Sequence, residues 1–170
     1  MIAVVLPDSP GARTGRLILE RESWPCALGA GGIRADKEEG DGATPVGRMP
    51  LRRVLYRADR VTPPRCAVPA EPIAPTDGWC DDAAHSDYNR AVRLPHPARH
   101  EALWRPDGLY DVVGVLGWND APAVRGRGSA IFLHVARPGL RPTEGCIALP
   151  LPDLLRALAM GLTDLEVRQG

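Results

Sequence analysis

One segment near the C-terminus organises the chain: Gly128-Ser129-Ala130-Ile131-Phe132-Leu133-His134-Val135-Ala136-Arg137-Pro138-Gly139-Leu140-Arg141-Pro142-Thr143-Glu144-Gly145-Cys146-Ile147-Ala148-Leu149. Its apolar run 129–133 predicts a short buried strand with His134 at the end. A loop rich in glycine and proline follows and leads to Cys146 and a second apolar run. The histidine and the cysteine lie twelve positions apart, and a loop of this length can return the cysteine to the strand end.

His134 and Cys146 are the candidate catalytic pair. A thiol becomes a nucleophile at neutral pH beside a base or a cation, and an imidazole can be that base. Gly145 lets the backbone approach a substrate carbonyl, and the amides of Gly145 and Cys146 could face a developing oxyanion. For an arbitrary pair, a buried cysteine and a core histidine would be the commoner explanation. The order of strand, histidine, loop and Gly-Cys favours catalysis.

This order resembles the L,D-transpeptidase (YkuD-type) catalytic domain. In that family a histidine after a strand precedes a Ser/Thr-His-Gly-Cys-Ile-Arg segment. The matching positions are Thr143, Gly145, Cys146 and Ile147. Glu144 and Ala148 replace the histidine and the arginine of that segment, and Val135 replaces the glycine that commonly follows the first histidine. A Thr-Pro-x-Gly turn at 44–47, ahead of a strand, is a second point of resemblance.

The resemblance implies a mainly β fold, a sandwich or half-barrel with a helix after the cysteine. It also implies that Cys146 forms a thioester at the meso-diaminopimelate residue of a peptidoglycan stem peptide, while His134 takes the thiol proton. The product would be a 3-3 or a 1-3 cross-link, and no cofactor is required. Two alternatives remain open: an L,D-carboxypeptidase or amidase that uses the same thioester, and a non-catalytic peptidoglycan-binding module. A serine hydrolase is disfavoured, since the chain has no Gly-x-Ser-x-Gly motif.

The predicted substrate contacts lie in three loops and are Trp79, Tyr88, Asn89, Asn119, Arg137, Thr143 and Glu144. The aromatic and polar side chains of the long loop 78–90 either bind a polar peptide or anchor the loop to the core. The sequence permits both. A carboxylate pointing at the thiol would raise the thiol pKa. We therefore expect the Glu144 side chain to turn away and to pair with an arginine, for which the candidates are Arg90, Arg137 and Arg141.

Periodicity predicts the remaining elements. The expected strands are 2–6, 15–20, 24–28, 48–56, 109–116 and 163–168, with a helix over 149–160 and one helical turn at 101–104. Five prolines in 60–77 exclude a regular element, so we expect an ordered surface loop there. The glycine cluster 29–32 lacks the Lys-Ser/Thr ending of a phosphate-binding loop, which favours a flexible turn.

Composition limits the class of protein. The chain has 170 residues, which suits one domain over 1–170, and its 21 basic and 21 acidic residues give zero net charge. This balance argues against nucleic acid and anionic membranes as partners. No apolar run is long enough to span a membrane. Nothing in the sequence indicates an oligomeric state.

Cysteine and histidine usage favours neither a disulfide framework nor a metal centre. The four cysteines are widely spaced and expected to be reduced, although a disulfide among Cys26, Cys66 and Cys80 stays open. Cys80 and the three histidines of 85–100 lack the paired spacing of zinc modules, so we expect no metal. The resemblance implies the cell envelope, yet residues 1–6 lack a signal-peptide pattern. A shortened chain, a mis-set start or a cytoplasmic role would each explain this.

Overall fold

The computed structural model describes residues 1–170 and consists mainly of strands. In chain order the strands are β1 (Ile2–Pro7), β2 (Thr14–Leu19), β3 (Glu22–Ala27), β4 (Ile33–Arg34), β5 (Thr44–Pro45), β6 (Gly47–Tyr56), β7 (Ala70–Pro72), β8 (Asp77–Cys80), β9 (Arg90–Arg93), β10 (His100–Ala102), β11 (Val112–Leu116), β12 (Phe132–Val135), β13 (Ile147–Leu149) and β14 (Asp164–Val167). A 3-10 turn covers Pro138–Leu140, and the single α-helix, α1, covers Leu151–Ala159.

The main sheet has nine strands in the order β11-β12-β13-β3-β2-β1-β14-β6-β7. Because β11 also pairs with β6, the sheet closes on itself and leaves only β7 outside the ring. Most neighbours are antiparallel, but β1–β14, β6–β7 and β12–β13 are parallel pairs. A parallel pair requires a crossover, and the loop that contains the 3-10 turn makes the one between β12 and β13. The fold is therefore a closed barrel, which agrees with the predicted mainly β class.

Successive side chains of a strand point to opposite faces of the sheet, and this alternation separates two apolar clusters. Leu133 of β12 points into the barrel, where it joins the larger cluster of 23 buried residues. Its neighbour Phe132 points outward into a second cluster of ten residues, as the two-residue period of a strand requires. A three-stranded sheet of β8, β9 and β10 packs on this outer side. Cys146 belongs to the second cluster, so the candidate nucleophile lies between the barrel and the small sheet.

The helix after the cysteine is confirmed. It buries Leu154, Ala157 and Leu158 against the barrel, and Pro152 and Asp153 occupy its first turn, where a missing N–H and a negative charge are both favourable. The helix ends before Gly161, which has φ +94°. It is neither long nor apolar enough to cross a membrane.

Several predicted boundaries differ from the structure. The segment 101–104 was predicted as a helical turn, but residues 100–102 form β10, because each pairs with a residue of β8. The strand predicted over 129–133 begins only at Phe132, since Ala130 has φ +53°. The strand predicted from 109 begins at Val112, and the proline-rich loop 60–77 contains β7. All four cysteines are free thiols.

Candidate active site

The Cys146 thiol is buried and protonated in the free protein. Its Sγ–H donates to the Ala130 carbonyl at 3.3 Å, and the Phe132 N–H donates to Sγ at 3.3 Å. Burial raises the pKa of this thiol to about 12, and the negative charge of Glu101 contributes in the same direction. A thiolate is the reactive form of cysteine. In this environment Cys146 is therefore in the protonated, less reactive form.

The turn before Cys146 is held by Thr143. The Thr143 hydroxyl donates to the Cys146 carbonyl at 2.6 Å and accepts the Gly145 N–H at 3.1 Å. Gly145 has φ +129°, and a Cβ at this position would lie 2.8 Å from the Ala43 carbonyl oxygen, so only glycine fits. The Gly145 amide was predicted as an oxyanion donor, but it is already bonded. The Cys146 N–H makes no hydrogen bond within the chain and remains available.

His134 lies on the same face of the barrel as Cys146. In the parallel pair β12–β13 it is opposite Ala148, two residues beyond the cysteine. Its Nδ1 donates to the Val135 carbonyl at 2.9 Å, which leaves the lone pair on Nε2. Burial lowers the pKa of His134 to about 4, so the imidazole is neutral. No hydrogen bond joins it to the Cys146 thiol, whose partners are Ala130 and Phe132.

Two residues that the sequence analysis did not identify, Tyr110 and Glu101, lie beside this pair. The Tyr110 ring makes an edge contact with His134, with centroids 5.4 Å apart, and the Tyr110 hydroxyl donates to Glu101 Oε1. Burial raises the pKa of both Tyr110 and Glu101. Tyr110 follows the start of the apolar run 109–116, where a buried phenol needs a polar partner. This need for a polar partner was the one feature of the sequence that could have identified Tyr110 and Glu101.

Cys146, His134, Tyr110 and Glu101 line a cleft of about 620 Å³. Its charged lining residues are Lys37, Glu39, Asp41, Asp81, Arg99, Glu101, Arg105, Arg137, Arg141 and Glu144. Arg137 and Arg141 are exposed and form no ion pair. Glu144 is also exposed and unpaired, and its negative charge contributes to the raised pKa of Cys146. The predicted pairing of Glu144 with an arginine is therefore wrong.

The other predicted contacts lie outside the cleft lining. Asn89 is buried, and its Oδ1 accepts the Trp79 indole N–H at 3.0 Å and the Ala130 N–H at 3.1 Å. The buried Tyr88 hydroxyl donates to Glu39 at 2.8 Å and accepts the Gly128 N–H at 3.0 Å. These side chains anchor the loop that leads to Ala130, which is one of the two alternatives that the sequence permitted.

Asn119 has the same anchoring role on the other side of this loop. Its Nδ2 donates to the Val124 and Gly128 carbonyls, both at 2.9 Å, and its Oδ1 accepts the Val124 N–H at 2.7 Å. These bonds close the turn 119–128 on itself. Of the seven predicted contacts, the cleft therefore brings together only Arg137, Thr143 and Glu144.

One cluster has metal-ligating residue types. The ligand atoms of His85, Asp87 and His96 lie within 4.8 Å of one another. However, His85 Nδ1 accepts the Asp87 N–H at 3.0 Å, and His96 Nδ1 accepts the Ala98 N–H at 3.2 Å. A neutral imidazole has a single lone pair, so each ring would have to break a backbone hydrogen bond to bind a metal. The cluster fits a loop anchor better than a metal centre.

A family model described as the L,D-transpeptidase catalytic domain, YkuD, matches residues 12–163. The chain belongs to the YkuD family. Among solved structures, it is similar to L,D-transpeptidase 1 of Mycobacterium tuberculosis, with 13% identity and a TM-score of 0.38. That match covers 97% of this chain and 58% of the other, so the chain spans little more than half the length of its relative. A search of curated proteins gave no match.

The positions where this YkuD domain departs from the Ser/Thr-His-Gly-Cys-Ile-Arg segment have distinct environments. Ala148 replaces the arginine and is buried opposite His134, so no guanidinium reaches the cleft from there. Arg137 and Arg141, on the crossover loop, supply that charge from another direction. Glu144 replaces the histidine and brings a negative charge to the mouth of the cleft.

Proposed function

We propose that this YkuD domain is a peptidoglycan L,D-transpeptidase that works through a thioester on Cys146. The supporting observation is the placement of three groups in one cleft: the Cys146 thiol, the unpaired N–H of the same residue, and the neutral imidazole of His134. A nucleophile, an oxyanion donor and a base are what acyl transfer requires. We propose that residues 1–170 act as one catalytic domain and that the substrate is located in the cell envelope.

Acylation begins when the donor displaces the thiol from the Ala130 carbonyl. Cys146 Sγ then attacks the carbonyl carbon of the meso-diaminopimelate residue, and its proton passes to His134 Nε2. The Cys146 N–H donates to the developing oxyanion. As the intermediate collapses, the C–N bond breaks, and the leaving amine takes the proton from the imidazolium. The products of this half-reaction are a thioester and a free amine.

The unpaired charges of the cleft fit a stem peptide. Diaminopimelate carries carboxylate and ammonium groups, and the cleft offers Arg137 and Arg141 for the first and Glu144 for the second. Arginine binds carboxylates through paired N–H donors. Thr143 acts indirectly, because its hydroxyl holds the Gly145–Cys146 turn. An amine that resolves the thioester gives a 3-3 or a 1-3 cross-link, whereas water would give the carboxypeptidase or amidase reaction.

Mass spectrometry of muropeptides incubated with the protein tests this function. We expect new cross-linked dimers with the wild type and none with Cys146→Ala, which removes only a sulfur atom from a buried position. Shortened stem peptides without dimers would favour the hydrolase. Unchanged muropeptides that co-purify with both proteins would favour the binding module. Dimers formed equally by Cys146→Ala would contradict the assignment of the nucleophile.

A further inference from the structure

Glu101 is a carboxylate that lines the cleft and has one oxygen free. It is the middle residue of β10, opposite Trp79 of β8 in the small sheet. Its Oε1 accepts the Tyr110 hydroxyl, whereas its Oε2 makes no hydrogen bond within the chain. The nearest cation, Arg105 Nη1, is 3.8 Å from Oε1, and Arg105 is already bonded to Asp107 at 2.6 Å. Glu101 therefore lines the cleft with Oε2 free of any partner within the chain.

Three other carboxylates of the cleft are already occupied. Asp41 binds the Lys37 ammonium at 2.5 Å, and Asp81 binds Arg99 at 3.1 Å. Glu39 accepts hydroxyl hydrogen bonds, from Tyr88 at 2.8 Å and from Ser129 at 2.9 Å. Glu144 is unpaired but exposed. Glu101 is a partly shielded carboxylate of the cleft, 26% exposed, whose ion pair with Arg105 is long, at 3.8 Å, and whose Oε2 has no partner within the chain.

Tyr110 connects Glu101 with the two reacting side chains. Its ring contacts the His134 imidazole and its hydroxyl contacts Glu101. Tyr110 and Cys146 belong to the same buried cluster, and the negative charge of Glu101 adds to burial in raising the pKa of the Cys146 thiol. Glu101 lines the cleft from β10 of the small sheet, whereas His134 lines it from β12 of the barrel.

We propose that Glu101 is the base that deprotonates the acceptor amine when the thioester is resolved. This inference rests on the proposed transpeptidase function. The acceptor arrives as an ammonium ion, which a carboxylate attracts. Glu101 takes one proton and frees the nitrogen lone pair, which attacks the thioester carbonyl. The C–N bond forms, the C–S bond breaks, and its electron pair returns to Sγ. The second N–H proton passes to Sγ, and Glu101 later releases its proton to water.

The properties of Glu101 suit this step better than those of His134. Burial raises the Glu101 pKa, and a carboxylate of higher pKa is a stronger base. Burial lowers the His134 pKa to about 4, and the positive charges of Arg105 and Arg137 act in the same direction. Arg137 forms no ion pair, so its charge repels an ammonium ion from His134, whereas the charge of Arg105 is compensated by Asp107 at 2.6 Å. Two bases that line the same cleft can serve the two half-reactions separately.

Single-turnover experiments can separate the half-reactions. The protein is first acylated with a donor stem peptide, and thioester formation is followed by intact mass. The isolated thioester is then mixed with an amine acceptor at increasing concentration, and in parallel with hydroxylamine, which is uncharged at neutral pH and needs no base. The variants are Glu101→Gln, Glu144→Gln and, as a matched control, Glu22→Gln, which removes a charge from a surface pair with Arg156.

For Glu101→Gln we expect acylation at least as fast as in the wild type, because a negative charge that raises the pKa of the Cys146 thiol is lost. Aminolysis at saturating acceptor should fall by about 10²–10⁴-fold, the usual contribution of a general base, while hydroxylamine should react at the wild-type rate. Glu144→Gln should raise the acceptor concentration for half-maximal rate without lowering the saturating rate. Glu22→Gln should match the wild type throughout.

Three results would overturn the proposal. Wild-type aminolysis by Glu101→Gln would show that no base is needed there. Equal losses with the amine and with hydroxylamine would indicate a distorted cleft. A lower saturating rate in Glu144→Gln, but not in Glu101→Gln, would assign the role to Glu144. Failure of the wild-type protein to acylate at all would instead refute the proposed function, and this inference with it.

Discussion

Replacing Asn89 with alanine should destabilise the protein strongly. Asn89 is 5% exposed and uses its whole amide. Its Oδ1 accepts the Trp79 indole N–H and the Ala130 N–H, and its Nδ2 donates to the Trp118 and Asn119 carbonyls at 2.9 and 2.8 Å. The backbone also has φ +57°, which asparagine tolerates and alanine does not. The substitution therefore removes four hydrogen bonds and adds backbone strain.

The expected loss of stability follows from the buried polar groups that lose their hydrogen-bond partners. A buried donor without a partner costs about 1–3 kcal/mol, so the Trp79 and Ala130 N–H groups together cost about 2–6 kcal/mol. The left-handed backbone adds about 1 kcal/mol for alanine. We expect the free energy of unfolding to fall by about 3–7 kcal/mol, which is large against a typical total of about 5–15 kcal/mol.

Urea unfolding followed by tryptophan fluorescence measures this change. Asn89→Gly is the matched control, because it loses the same hydrogen bonds but accepts the positive φ. Glycine should therefore be the more stable variant by about 1 kcal/mol. An Asn89→Ala protein within about 1 kcal/mol of the wild type would refute the reasoning, since even one buried donor without a partner costs about 1–3 kcal/mol.

Three further predictions concern the Gly145–Cys146 turn and His134. Gly145→Ala should cost about 1–3 kcal/mol and stop acylation, because the new Cβ meets the Ala43 carbonyl at 2.8 Å; wild-type stability and acylation rate would contradict this. The rate of Cys146 alkylation by iodoacetamide should rise about tenfold per pH unit up to pH ~10, since burial raises the thiol pKa to about 12. A rate that levels off near neutral pH would instead indicate a preformed thiolate–imidazolium pair. Burial lowers the His134 pKa from 6.5 to about 4, so between pH 4 and pH 6.5 the unfolded chain binds more protons than the folded chain. The free energy of unfolding therefore falls by about 3 kcal/mol as the pH drops from 6.5 to 4. The His134→Gln protein should lack that part of the loss, and an identical pH profile in both proteins would be evidence against a buried neutral imidazole.

The local pattern of apolar residues was enough to predict the strands around His134 and Cys146 and the helix that follows Cys146. The apolar runs around His134 and Cys146 are buried strands in the structure, and the leucine stripe after Cys146 is the single helix. Both follow from periodicity, which depends on neighbours in sequence. The loop glycines and prolines likewise indicated the loop between the two strands, although the parallel pairing of those strands was not predicted.

Contacts between distant segments could not be predicted in this way. Glu101 reaches Tyr110 because β10 pairs with β8, and residues 101–104 alone resemble a helical turn. Ala130 has a positive φ because its N–H is held by Asn89, 41 positions earlier. Tertiary contacts override local propensity in such segments. For the same reason the sequence placed Asn89 among substrate contacts, whereas the structure buries it.

The most direct test of the proposed chemistry is the mass of the protein after brief incubation with a donor stem peptide and an acid quench. We predict one added acyl group, mapped by peptide analysis to Cys146 and absent from Cys146→Ala. The adduct should disappear when an amine acceptor is added before the quench. Product formation without any adduct on Cys146, or an adduct mapped to Cys26, Cys66 or Cys80 instead, would contradict the thioester mechanism.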